Sequence, residues 1–268
     1  LISDINPSQN EALSYKLYEN AITVLKNEKN ILPIKDLSQK IAYVKLGDAA
    51  NSTFVSTLKK YTDVTEVSNT NIDSLNTELK KYNTVIIGFH KENKTWAKHD
   101  FSDTEMHWLQ EIAKHNKVIL DVFAKPYSLL PITNFEYIEG LVVSYQNSEV
   151  SQIVSAELLF GAVDAKGKLP VSINNSFPVN YGLSMEKLNR LGFTAPENED
   201  MNPQILSQID SIARKAIDGK MTPGMQVLVA RKGNVIFQKS YGHLTYDNSK
   251  KVSNSDLYDV ASLSKMIS

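Results

Sequence analysis

The chain has 268 residues, 42% hydrophobic and 22% charged, and this ordinary globular balance excludes a disordered tail, a collagen-like fibre and a coiled coil. Lys plus Arg number 29 against 30 Asp plus Glu, a formal net charge of −1, so the basic face of a dedicated nucleic-acid binder is not expected. The absence of cysteine excludes disulfides, thiolate metal sites and cysteine nucleophiles, and no apolar run approaches the ~20 residues that cross a bilayer. At roughly 150 residues per domain the length predicts about two domains. The chain opens on Leu1 and stops within residues 261–268, which read as the first turn of a helix, so a piece of a longer chain is expected.

Leu13, Leu17, Ala21, Val24 and Leu25 recur at spacings of three and four, which predicts an amphipathic helix over 8–27, stopped by Asn30 and Pro33. Apolar runs follow at 41–46, 64–67, 85–89, 118–123 and 141–145. Helical patterns at 51–61, 72–82, 103–115 and 148–161 separate them. Ser102 with Glu105 three residues on fits a capping box. Val- and Ile-rich runs without alternation suit strands buried on both faces, and strand–helix alternation implies parallel neighbours. Residues 1–175 are therefore predicted to form an α/β three-layer sandwich with a mostly parallel sheet of five or six strands.

Parallel sheets place ligands beyond the carboxyl ends of their strands. The loops that qualify are 47–51, 90–100, 124–130 and 146–148. None contains G-x-G-x-x-G or a Walker loop, so no nucleotide cofactor is expected. The alternation alone also fits a receiver or flavin-binding domain. A receiver needs an acidic cluster after its first strand and an Asp ending its third, whereas only Asp48 follows the first and Gly88-Phe89-His90 ends the third. The long polar loop 90–101 carries Trp96, His99 and Asp100, which are candidates for glycan contact. His99 and Asp100 are adjacent, and adjacent residues on an extended loop point apart, which argues against a catalytic dyad. His107 and His115 are eight apart on one predicted helix, not the i, i+4 pair a metal needs, so no metal site is expected.

Two stretches carry a resemblance. Residues 19–37 (ENAITVLKNEKNILPIKDL) and 159–173 (LFGAVDAKGKLPVSI) resemble the opening and closing motifs of the C-terminal sandwich domain of glycoside hydrolase family 3, and they bracket the strand–helix units in the family's order. The resemblance implies a partner outside this chain: an N-terminal (β/α) barrel that holds the catalytic carboxylate nucleophile. In the N-acetylglucosaminidase branch the barrel also supplies a His-Asp acid/base, whereas in the β-glucosidase branch a sandwich-domain Glu can do so. Glu92 is the one strand-end loop residue here that could stand in that place. The sandwich is thus expected to be the companion of a catalytic barrel.

Residues 176–201 read as a linker rich in Asn, Pro and Gly, ending in the acidic run 197–200, with the domain boundary near residue 195. The helical pattern restarts with Asn202 as cap and Pro203 in the first turn. Ile205, Ile209, Ile212, Ala213 and Ala216 then recur to Gly219. Strands at 225–230 and 235–241 around Gly233 predict a β-hairpin. Residues 261–265 (ASLSK) contain S-x-x-K. Serine and lysine one turn apart share a helix face, where the amine can take the hydroxyl proton and the helix N-terminus favours developing negative charge. Ser56-Lys59 and Ser184-Lys187 fit the same spacing, but only Ser262 follows a helix, a hairpin and a loop.

That context, with Pro223-Gly224-Met225, Gly233, Tyr241-Gly242 and YDVASLSK at 258–265, resembles the N-terminal part of the serine β-lactamase and penicillin-binding-protein family, especially its class C and esterase-like members. The resemblance implies that Ser262 is the acylated nucleophile and Lys265 its proton partner. It also makes residues 202–268 a truncated α+β segment: helix, β-hairpin and the start of the nucleophile helix. The family's Tyr-x-Asn or Ser-x-Asn and Lys-Thr-Gly elements fall beyond residue 268.

The expected whole is part of a periplasmic or envelope-associated bacterial hydrolase. It would join a β-N-acetylglucosaminidase-like glycosidase to a serine hydrolase, with a carbohydrate or peptidoglycan-derived substrate, no nucleic-acid partner and no cofactor. The fragment alone is expected to be inactive without its barrel and the remainder of the serine hydrolase. The alternative is a non-catalytic carbohydrate-binding or scaffolding module that presents the Trp96 loop, with Ser262 as a helix cap.

Overall fold

The computed structural model describes residues 8–266 apart from 95, 97 and 248. The chain divides into two compact units, the first reaching Phe193 and the second starting at Thr194.

The first unit is an α/β sandwich. Its elements in chain order are α1 (Ser8–Ala21), β1 (Thr23–Asn27), β2 (Ile41–Gly47), α2 (Ser52–Leu58), β3 (Val64–Glu66), α3 (Ile72–Leu79), β4 (Thr84–His90), α4 (Asp103–His115), β5 (Val118–Phe123), β6 (Ile138–Val143) and α5 (Glu149–Phe160). The six-stranded sheet runs in the order β1-β6-β5-β4-β2-β3. Every neighbouring pair is parallel except β1 with β6. All residues of β4 and β5 are buried, as runs without polar alternation require of central strands covered on both faces.

Side chains alternate across the sheet and divide the core in two. Val44, Ile87, Phe89, Leu120 and Val122 join Leu75, Leu79, Leu109 and Ile112 of α3 and α4 in one apolar cluster. Tyr43, Phe54 and Phe123 meet edge-on across the opposite face, where α2 and α5 pack. Each fully buried Leu or Ile in these layers adds about 1.5–3 kcal/mol relative to exposure. Helix starts are fixed by caps: Asn71 accepts from Ser74 N, Ser148 from Ser151 N, and Ser102 with Glu105 closes the capping box expected there.

The helix expected over 8–27 is corrected at its end. It stops at Ala21, and Thr23–Asn27 is the antiparallel edge strand β1. Thr23 and Val24 are β-branched and fully buried, and they pair with Val143 and Val142. A partner almost 120 residues away outweighed the local 3.6-residue period. Residues 174–193, despite their Asn, Pro and Gly, belong to the first unit. Leu169 N donates to Tyr181 O, Leu183 N to Val24 O and Met185 N to Ala165 O.

The second unit contains α6 (Pro203–Leu206), α7 (Gln208–Asp218) and the antiparallel hairpin of β7 (Gly224–Arg231) and β8 (Asn234–Gly242). Asn202 caps α6, accepting from Gln204 N and Ile205 N. Lys232 (φ 51°) and Gly233 (φ 90°) form the two-residue turn, the type I′ geometry whose twist matches the strands. Residues 261–266 form a 3-10 turn, not the α-helical start expected, and residues 267–268 lie outside the described residues. No described helix is long and apolar enough to cross a membrane.

Candidate functional site

The chain leaves β2 for β3 on one side and returns across it to β4 on the other. In such a sheet the carboxyl ends of β2 and β4 flank the crevice where ligands bind. Here that crevice is filled by the chain itself. Asp48 N and Ala49 N both donate to His90 O, at 3.0 and 3.1 Å. Above them the buried Lys91 bridges Asp48 (3.6 Å) and Glu105 (3.3 Å).

Beneath it lies a polar network centred on the buried His90, the last residue of β4. His90 is fully buried, and its ring stacks on Phe123 with centroids 4.3 Å apart. Nδ1 lies 2.8 Å from Asn147 Oδ1, and Nε2 lies 2.9 Å from Tyr43 Oη. The partners fix the tautomer. Asn147 Nδ2 donates to Ala50 O and Gln152 Nε2 donates to Asn147 Oδ1, so Oδ1 is an acceptor and His90 Nδ1 carries the proton. Nε2 is then the acceptor for the Tyr43 hydroxyl, which itself accepts from Asn51 Nδ2 at 3.2 Å. Burial with no carboxylate partner holds the imidazole neutral and lowers its pKa to about 4. Burial likewise pushes the Tyr43 hydroxyl upward. The network ties the loops after β2, β4 and β6 into one rigid platform.

Two buried carboxyls lie on the same side of the sheet. Asp121, in the middle of β5, receives Ser144 Oγ (2.7 Å) and Ser155 Oγ (2.5 Å), and burial pushes its pKa up to about 7 despite both donors. Glu157 of α5 accepts from Phe193 N on Oε1, while Oε2 is buried without a hydrogen-bond partner among the described residues. Burial raises its pKa to about 8. Both side chains are sealed in the interior (0% exposed), so they act on packing and not on a ligand.

The loop residues expected from the sequence separate. Trp96 is 94% exposed and Asp100 is exposed. His99 borders a cleft of about 350 Å³ with Asn93, Lys94, Lys125, Tyr145 and Gln146, at the carboxyl ends of β4, β5 and β6. His99 Nε2 is shielded from solvent and has no hydrogen-bond partner among the described residues. Glu92 is exposed and paired with Lys94, and it does not line the His99 cleft. Asp100 does not reach the cleft, so the His99 side chain stands there without it. Among the described residues no group of three His, Asp or Glu is placed to hold a metal ion.

Ser262 and Lys265 lie exposed on the 3-10 turn. Side chains three apart eclipse in that geometry, so the pair keeps one side. Ser56 Oγ donates to Thr53 O on α2, and Lys59 pairs with Glu66 at 2.9 Å, so this second S-x-x-K is a surface pair. Sequence reading singled out the loop that begins at His90 but not His90 itself. Its signal was a lone polar ring ending an apolar run. Asp121 in VILDVF and Glu157 in VSAELLF carried the same kind of signal.

Residues 22–204 match the profile of the glycosyl hydrolase family 3 C-terminal domain. Among solved structures the chain is similar to a fungal multi-domain GH3 β-N-acetylglucosaminidase (22% identity, TM-score 0.52, 65% of this chain and 20% of that one). It is similar to the β-glucosidase EmGH1 of Erythrobacter marinus (12%, 0.51, 66% and 35%) and to a Listeria innocua β-glucosidase with isofagomine (15%, 0.53, 64% and 28%). The chain thus spans about a third or less of each of these structures. No curated protein matches it significantly.

Proposed function

The chain belongs to the glycosyl hydrolase family 3 C-terminal domain family, and from that premise we propose that it is the sandwich portion of a glycoside hydrolase, seated beside a catalytic barrel, with β-N-acetylglucosaminides as the substrate class. The observation that supports this most is the match over residues 22–204, which spans the whole sheet with its strand-end loops. The His90 network would hold those loops rigid against the barrel. The cleft of His99, Lys125 and Gln146 would offer hydrogen bonds to the sugar, and two carboxyl groups on the barrel would cleave the glycosidic bond. A barrel-containing parent chain is expected to hydrolyse p-nitrophenyl β-N-acetylglucosaminide faster than the β-glucoside. His99→Ala with Lys125→Ala is expected to raise KM with little change in kcat. Failure of the folded parent to hydrolyse either glycoside overturns the reading.

The second unit supports a serine hydrolase segment of β-lactamase type, through Ser262 and Lys265 on one side of a turn. Ser262 would form the acyl-enzyme and Lys265 would take its proton. Peptidoglycan is the material on which both activities would meet, in the bacterial envelope or periplasm. A fluorophosphonate or penicillin probe is expected to label a chain extended past residue 268 and to fail on its Ser262→Ala variant. A folded extended chain that takes no label overturns the assignment.

A further inference from the structure

The sheet edge at β3 holds a second cleft, which shares Tyr43 and Asn51 with the His90 network. β3 ends at Glu66 after three residues, whereas β2 runs seven residues to Gly47. The outer side of β2 beyond Tyr43 therefore has no strand beside it, and a cavity of about 270 Å³ opens there. Its floor is apolar and rigid: Val67 and Leu75 are buried, at 4% and 0% exposure. One wall is Trp108 of α4, partly buried against the main core.

The rim is polar and carries both donors and acceptors. Asn69 gives its side-chain carbonyl to Asn71 N, which leaves its NH2 group to donate. Asn51 donates to Tyr43 Oη through Nδ2, which leaves its carbonyl to accept. Ser68 can do either, and Lys45 donates. Glu66 is held by Lys59 at 2.9 Å through Oε1, so it is positioned while its second oxygen stays open, and the two charges cancel.

We propose that this edge cleft is a non-catalytic site for a single neutral sugar ring. A pyranose has an apolar C–H face, which suits an indole wall, and a belt of hydroxyls that each donate and accept, which suits this mixed rim. The volume takes one ring and not an oligosaccharide chain. With Glu66 paired to Lys59, Lys45 is the uncancelled charge of the rim, and its ammonium can donate to a ring hydroxyl. The short amide and hydroxyl side chains lose little rotamer freedom on binding.

The chain contains two tryptophans, Trp96 and Trp108, so Trp96→Phe leaves Trp108 as the sole indole reporter. Titration of that variant with glucose or N-acetylglucosamine is expected to give a saturable fluorescence change, with Kd on the order of 1–10 mM for so small a ligand. Adding Asn69→Ala and Glu66→Gln is expected to weaken binding about tenfold, the loss of one or two hydrogen bonds to a bound ligand. These two positions are exposed, so near-UV circular dichroism should remain unchanged and separate lost binding from lost folding. No saturable change up to 100-fold above that range overturns the proposal. So does undiminished affinity in the triple variant, or a response to an extended peptide with none to sugar. The titration needs no barrel and no turnover, so its failure and the failure of the glycosidase reading are distinguishable.

Discussion

His90 is neutral because every atom around it is arranged for the neutral ring, and that arrangement has a thermodynamic consequence. Its pKa is about 4 when folded and near 6.5 in an unfolded chain. The unfolded state therefore binds a proton first as pH falls, so stability is present above 6.5 and is lost as pH drops toward about 4, by up to about 3 kcal/mol. His90→Gln keeps a donor and an acceptor but does not titrate. It should cost about 1–3 kcal/mol at pH 7 through imperfect hydrogen bonds, and it should flatten the acid limb of a urea-denaturation series between pH 6.5 and 4. An unchanged acid limb would show that His90 does not carry it. Glu157 works in the opposite sense. Its folded pKa of about 8 exceeds the ordinary 4.5, so the folded state holds the proton longer. Stability is fully present below 4.5 and is lost as pH rises through about 8, on the order of a few kcal/mol. Glu157→Gln, which keeps an acceptor for Phe193 N, should flatten the decline measured from pH 5 to 8, and an undiminished decline would assign it to Asp121 or elsewhere. Both residues were visible in the sequence as polar letters in apolar runs. Their partners were not, because Tyr43, Asn147 and Phe193 lie far away along the chain.

Gly88 shows how a strand is fitted to such a network. A Cβ built there would fall on His90 Nε2 and Tyr43 Oη. Both belong to a packed face that cannot retreat, so Gly88→Ala should cost about 1–3 kcal/mol, as overpacking does. It should also break the Tyr43–His90 hydrogen bond, read as a downfield Tyr43 hydroxyl proton signal that shifts or vanishes in NMR. Wild-type stability in the variant would show that the two rings yield. Strand existence was legible at this scale because central strands buried on both faces are written as unbroken Val and Ile. The hairpin was legible because Gly233 marks a tight turn between two apolar runs, and it takes the positive φ there. The edge strand β1 was not legible. Ala21, Val24 and Leu25 satisfy a helical spacing, and only the distant β6 decides that Thr23–Asn27 is extended. Residues 174–193 misled for the converse reason: their polar and Gly-rich composition reads as a connection, while their main chain bonds to residues 165–169 and to Val24.

The two units differ in how much core each builds, and this decides where the chain opens first. In the first unit β4 and β5 are buried throughout, with α3 and α4 on one face and α2 and α5 on the other. In the second, α7 is strongly two-sided in sequence yet buries only Ala213, while Ile212 is 66% exposed and Leu228 of β7 is 52% exposed. An amphipathic helix packed on so small a sheet removes little apolar area from water. Backbone opening there costs correspondingly little. Amides of β4 and β5 should therefore exchange with deuterium only on global unfolding of the first unit. Amides of β7 and β8 should exchange orders of magnitude sooner, at a rate that rises little with mild denaturant. Equal protection of both sets would mean that the second unit gains burial from association with another chain or copy, and dilution would then separate the two by a concentration-dependent loss of protection.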